Sequence, residues 1–259
     1  MNKKIILLII LISQVFFIAA ENNINLNFII DPGFAYNSGI DDSACNDLDS
    51  LFSETFKDTL GSTNYTFIVG KFLKSLPDSL NNDSIFVEKL ENLDFVDYIT
   101  PTDFHYSSSF PSKKLFASNL KDTTKTNYPN RIITIKADSF QVDLISLYSP
   151  DFTTTANLDS TISFDYSQKK ILKKIFSEIS EKSDLIVILT SYPKFVCKRI
   201  FPNDKRIRYI INFDSKIYRD FVFRKRIYFK NVRYTKGIGQ LHLNFKNKKL
   251  HSNWKIIKN

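Results

Sequence analysis

The segment QKKILKKIFSEISEKSDLIVIL, residues 168–189, joins an amphipathic helix to an apolar strand. The apolar residues of its first part recur at the spacing of one helical face, namely Ile171, Leu172, Ile175, Phe176 and Ile179. The second part, from Asp184 to Leu189, is a nearly continuous apolar run of the length of a strand. A helix that leads into a buried strand is typical of an α/β sheet, so this segment predicts an α/β domain.

Similar patterns extend in both directions from this segment. They predict further strands at 24–31, 66–70, 95–99, 132–135, 142–148, 207–211, 227–232 and 239–245, and further helices at 46–60 and 84–93. With 6 Gly, 8 Pro and 14% aromatic residues among 259, collagen-like and disordered classes are excluded. No repeat or linker divides residues 21–259, so we expect them to form one domain.

The first 20 residues have the pattern of a secretory signal peptide. Lys3 and Lys4 precede an apolar run at residues 5–12, and the segment ends in Ala19-Ala20. We therefore expect export to the periplasm, the cell envelope or the outside of the cell, with no transmembrane helix left after cleavage. The alternative is that the leader is retained as an anchor. Export would permit a disulfide between Cys45 and Cys197, and two free thiols are the alternative.

Charge is unevenly distributed along the chain. Residues 194–259 carry 19 Lys and Arg against 3 acids, whereas residues 1–193 carry 17 against 24. Such a basic region attracts anions, so an anionic surface or an acidic protein is a candidate partner, although the cations could equally form a solvated face that complements the acidic half. Aromatic residues alternate with these cations in the manner of the inward face of a strand, so nucleic acid is not expected to be the partner. The candidate anion-binding residues are Lys205, Arg206, Arg208, Arg224, Lys225 and Arg226.

Several strand ends carry a recognisable series of short motifs. In order, they are FIIDPG at 28–33, FIVGK at 67–71, TPTDFH at 100–105, LFASNL at 115–120, ISLYSPD at 145–151 and IGQLHL at 238–243. Their order and spacing resemble the metallophosphoesterase (calcineurin-like) superfamily, and within it the catalytic domain of secreted 5′-nucleotidases. The resemblance implies a layered α/β/β/α sandwich and a centre of two metal ions that hydrolyses phosphate esters.

Most positions that hold metal in that family carry other residues here. Asp31 matches the first Asp of the family, but Gly33 replaces the His that follows it, and Lys71 replaces the bridging Asp. The remaining replaced positions are Pro101 and Thr102 for an Asn-His pair, Ser191 for a His, and Asp214 and Lys216 for two further His. The chain has only 3 His and 2 Cys, which excludes any centre that needs four imidazoles or four cysteines.

Lys71 is the most informative of these replacements. An ammonium group at the bridging position would repel two dications. It either forms a salt bridge with Asp31 in the vacated site or points to solvent. We therefore expect an exported, catalytically inactive phosphoesterase-like protein with a binding or structural role and no cofactor. The alternative is a residual phosphoesterase that uses a single Mg or Mn ion, with Asp31, Asp103, His105 and Asp214 as the candidate ligands.

Overall fold

The structure, a computed structural model, describes residues 23–30, 62–69, 96–100, 114, 116–122, 131–150, 162–213, 220–224, 226–231, 238–246 and 249–257. These residues form thirteen strands and two helices. The strands are β1 (Asn23–Ile30), β2 (Thr63–Val69), β3 (Tyr98–Ile99), β4 (Leu120–Asp122), β5 (Ile133–Lys136), β6 (Gln141–Leu147), β7 (Ile162–Phe164), β8 (Leu185–Thr190), β9 (Ile207–Asn212), β10 (Phe221–Phe223), β11 (Ile227–Asn231), β12 (Ile238–Lys246) and β13 (Lys249–Ile257). The helices are α1 (Gln168–Glu178) and α2 (Lys194–Ile200).

The larger sheet, sheet B, has the strand order β10-β11-β9-β8-β6-β5. Its four inner strands run parallel to one another, and its two outer strands are antiparallel to their neighbours. Strand β8, with the sequence LIVILT, is buried along its whole length, as expected for a strand covered on both faces. The carboxyl ends of the four parallel strands meet at one edge, which we call the carboxyl edge of sheet B.

The second sheet, sheet A, has the order β13-β12-β1-β2-β3. Strands β1, β2 and β3 run parallel, whereas β12 is antiparallel to both β1 and β13. Strands β1 and β2 end side by side, with Ile30 paired to Val69. A short third sheet pairs β4 with β7.

Sheets A and B pack face to face around an aromatic-rich core. Leu26 and Phe28 of β1 belong to the same buried cluster as Leu144 of β6 and Val187 of β8. Phe67 lies at the centre of an aromatic stack, with its ring centroid 5.3 Å from that of Phe28 and 5.4 Å from that of Tyr98. Apolar and polar residues alternate along β1, and this alternation directs Leu26 and Phe28 into the space between the sheets.

Both helices cover the other face of sheet B. The predicted stripe of α1 is buried there, with Ile171, Leu172 and Ile175 in one cluster with Ile188 of β8. Cys197 of α2 is a buried free thiol that donates a hydrogen bond to the carbonyl of Tyr192 at 3.2 Å. Burial raises the pKa of this thiol well above its usual value. The other half of the possible disulfide, Cys45, lies outside the described residues.

The opposite face of sheet A carries a buried layer of amide side chains. Asn25 donates to Asn64 at 2.9 Å, and Gln240 donates to Asn27 at 2.7 Å. His242 lies in the same layer, with its Nδ1 2.7 Å from Asn25 Oδ1. Burial and the charge of Lys255 lower the pKa of His242, so its imidazole is neutral at pH 7.

The α/β fold predicted from residues 168–189 is confirmed. One buried cluster joins the helices to sheet B and another joins sheet B to sheet A, and the complete α/β/β/α sandwich stays a prediction. The predicted helices at 46–60 and 84–93, and the predicted signal peptide, lie outside the described residues. The sequence patterns did not predict α2, which has only seven residues, or β13, whose apolar alternation is interrupted at Ser252. Neither described helix is long and apolar enough to cross a membrane.

Candidate functional site

Two serine side chains meet where β6 and β8 end at the carboxyl edge of sheet B. Ser191 Oγ accepts a hydrogen bond from the backbone N–H of Ser149 at 2.7 Å, and the two Oγ atoms are 3.1 Å apart. The parallel register brings them together, because Leu147 pairs with Thr190 just before the two serines. Ser191 is only 2% exposed. Its hydroxyl is therefore committed to holding two strand ends together.

The turn that follows Ser191 is fixed by further buried hydrogen bonds. Tyr192 N–H donates to Thr190 Oγ1 at 3.0 Å, and Asn212 Nδ2 donates to the carbonyl of Tyr192 at 2.8 Å. The Tyr192 side chain is hydrogen-bonded to Gln168, the first residue of α1, and burial raises the pKa of Tyr192 to about 12. The carboxyl edge is thus a connected polar network that also positions the starts of both helices.

Asn119 joins this edge to the segment before α1. Its Nδ2 donates to the carbonyls of Tyr148 at 3.0 Å and Asp165 at 3.3 Å, and its Oδ1 accepts from the N–H of Tyr148 at 3.0 Å. The ring of Tyr148 packs between Phe164 and Phe213, with centroids 5.4 and 5.5 Å away. Complete burial raises the pKa of the Tyr148 phenol, so the hydroxyl stays neutral.

The predicted anion-binding residues cluster at the opposite, amino end of β9 and β11. Arg206 binds Asp204 with two of its nitrogens, Nη2 at 2.7 Å from Oδ2 and Nε at 3.1 Å from Oδ1, and donates to the carbonyl of Ser180. This guanidinium holds the pKa of Asp204 below its usual value. Arg226 donates to Asn203 Oδ1 at 2.8 Å and to the carbonyl of Asp204 at 3.1 Å.

Arg224 is committed in the same way. Its guanidinium donates to the carbonyls of Lys198, Phe201 and Pro202 at 2.9–3.2 Å, which covers the end of α2. Its backbone has a φ of 50°, a left-handed value uncommon for a residue with a side chain. Three of the six predicted cations, Arg206, Arg224 and Arg226, therefore bind acceptors of the chain itself. Lys205 and Arg208 are exposed, and Lys225 lies outside the described residues.

No protein-family model and no curated protein sequence matches the chain. Solved structures do. A Staphylococcus aureus protein described as a 5′-nucleotidase, in complex with α-ketoglutarate, matches with a TM-score of 0.63 at 13% identity, over 92% of this chain and 55% of that one. The NAD nucleotidase of Haemophilus influenzae matches with a TM-score of 0.61 at 11% identity, over 90% of this chain and 49% of that one. A 5′-nucleotidase precursor of Thermus thermophilus matches with a TM-score of 0.60 at 9% identity, over 91% and 54%.

The chain has a metallophosphoesterase-like fold. The resemblance inferred from the strand-end motifs is therefore confirmed at the level of the fold. The chain spans about half the length of the nucleotidases it matches.

Ser191 is the one predicted metal-site position that the described residues include. The motif resemblance aligns Ser191 with a ligating His of the family. In the structure, however, its hydroxyl is buried against Ser149. The other positions are Asp31, Gly33, Lys71, Pro101, Thr102, Asp214 and Lys216, and they lie outside the described residues, as do Asp103 and His105. By sequence, Asp31 is the residue after β1 and Lys71 follows β2 by two residues.

The two described histidines do not lie at the carboxyl edge of sheet B. His242 belongs to the amide layer of sheet A, and His251 is exposed on β13. No group of three or more His, Cys, Asp or Glu residues with metal-binding geometry occurs within the described residues.

Proposed function

We propose that the chain is an exported, catalytically inactive metallophosphoesterase-like protein with a binding or structural role. The observation that supports this most directly is the Ser149–Ser191 pair, because the hydroxyl of Ser191, which the motif resemblance aligns with a ligating His, ties two strands together. A neutral serine hydroxyl is a far weaker ligand for Mn²⁺ or Zn²⁺ than imidazole.

The donor set given by the sequence does not fit a centre of two metal ions. Asp31 and Asp214 provide carboxylates, but Gly33, Pro101 and Thr102 provide no imidazole or amide ligand. Lys71 places a positive charge at the position that bridges the two ions in the family. At the short distances of such a centre, that charge would weaken the binding of both cations.

Export and location belong to the same proposal. The leader at residues 1–20 supports export, after which the protein would act in the periplasm, at the cell envelope or outside the cell. The basic balance of the chain, +9 in formal charge, supports an anionic partner.

Titration with Mn²⁺ in a calorimeter tests this proposal. We expect no saturable binding at micromolar metal, because the replaced positions supply too few ligands. An Asp31→Asn variant is the matched control. Any heat of Mn²⁺ binding that this variant still shows arises from sites other than Asp31. Tight binding of two ions that Asp31→Asn abolishes would overturn the proposal. Binding of one ion would favour the alternative, a residual phosphoesterase with a single Mg or Mn ion.

A further inference from the structure

The outer faces of α1 and α2 form one strongly cationic surface. We call it the helical cationic face. The two helices lie on the same side of sheet B, and a hydrogen bond joins Tyr192, two residues before α2, to Gln168, the first residue of α1. Their cations are Lys169, Lys170, Lys173, Lys174, Lys194, Lys198 and Arg199. The one acid in either helix is Glu178, at the last residue of α1, where it forms a 3.0 Å ion pair with Arg131.

The four lysines of α1 are not explained by the stability of that helix. Lys169 and Lys170 lie in the first turn of α1, where the helix dipole disfavours positive charge, and that turn carries no acid. Lys169 and Lys173 are four residues apart, as are Lys170 and Lys174, so each pair adds like-charge repulsion. Within the described residues, none of these four lysines has an ion-pair partner. The repulsion among these lysines therefore raises the free energy of the folded protein, and a negatively charged partner would reduce that repulsion.

An exposed apolar side chain lies beside the cations of α2. Phe195 of α2 is 64% exposed, next to Lys194 and one helical turn from Lys198 and Arg199, whereas Cys197 on the other side of the helix is buried. Tyr166, just before α1, is a second exposed aromatic residue. Cations that surround a protruding aromatic ring are typical of surfaces that bind the interface of an anionic membrane, where the ring enters the head-group region and the cations contact lipid phosphates and carboxylates.

We propose that the helical cationic face docks on an anionic lipid surface, with Phe195 inserted among the head groups. This surface differs from the anion-binding region expected from the sequence, because the lysines of α1 lie outside the basic region at residues 194–259. It is independent of whether the carboxyl edge binds metal. A nucleic acid or an acidic protein would be attracted by the same charge, but neither requires an exposed apolar side chain beside the cations.

The test uses the full chain with a tryptophan placed at the proposed point of insertion. Phe195→Trp combined with Trp254→Phe leaves a single tryptophan in the chain, at position 195. Its fluorescence then responds only when position 195 itself enters the lipid. Vesicles of phosphatidylcholine with about 30% phosphatidylserine are compared with phosphatidylcholine alone, each containing brominated acyl chains as quenchers. We expect a blue shift and quenching with the anionic vesicles, and both should decline as salt is raised.

Matched charge variants locate the surface. Changing Lys169, Lys170, Lys173 and Lys174 to Gln should weaken the apparent affinity at least about tenfold. Changing four exposed lysines elsewhere, Lys136, Lys246, Lys249 and Lys255, to Gln removes the same charge and should change the affinity less than about threefold. Equal losses in the two variants would overturn the proposal, as would a lack of quenching. Saturable binding of polyglutamate or duplex DNA without any lipid quenching would also overturn it, in favour of those partners.

Discussion

Replacing Phe67 by alanine is expected to lower the free energy of unfolding by about 3–5 kcal/mol. Phe67 is fully buried between the two sheets, and its ring stacks on both Phe28 and Tyr98. The variant loses the transfer free energy of the ring and leaves a cavity that the paired strands β1 and β2 are poorly able to fill by relaxing. Denaturant unfolding followed by circular dichroism measures the change.

Phe195→Ala is the matched control for this prediction. The substitution is chemically the same, but Phe195 is 64% exposed, so the free energy of unfolding should change by no more than about 0.5 kcal/mol. Similar losses in the two variants would show that Phe67 does not lie in the core between the sheets.

Replacing Asn119 by alanine is expected to lower the free energy of unfolding by about 2–4 kcal/mol. The side chain makes three hydrogen bonds to backbone groups, and its removal leaves the N–H of Tyr148 and the carbonyl of Asp165 without this partner. Buried backbone groups that lose a partner retain the full cost of their desolvation. The same unfolding measurement applies.

Asn253→Ala provides the comparison for Asn119, because Asn253 is exposed on β13. Its effect should stay within about 0.5 kcal/mol. A loss of stability at Asn119 no larger than at Asn253 would contradict the account of the carboxyl edge as a connected polar network.

Residues 168–189 predicted the architecture well because helix and strand periods are local properties of the sequence. The apolar stripe of α1 and the unbroken apolar run of β8 both follow from the side chains alone, and both are buried as expected. Strand β13 carries a comparable signal, since Leu250, Trp254 and Ile256 lie on one face. Ser252, a polar residue on that same face, interrupts the alternation.

The contacts of the site depend on pairings that no local pattern contains. Ser191 was expected at a strand end, but its bond to Ser149 depends on the parallel register of β6 and β8. The sequence predicts one anion-binding region in the basic segment, yet Arg206, Arg224 and Arg226 are bound to Asp204, Asn203 and nearby carbonyls. No local sequence pattern indicates the helical cationic face, because its two halves are separated in sequence and meet only when both helices pack on sheet B.

Hydrolysis of an aryl phosphate by the full chain in the presence of Mn²⁺ tests the central claim, which is that the replaced strand-end positions do not support phosphoesterase chemistry. Turnover is predicted to be no faster with Mn²⁺ than without it, and to be the same for the Asp31→Ala variant as for the unaltered chain. Mn²⁺-dependent turnover that Asp31→Ala abolishes would contradict the claim.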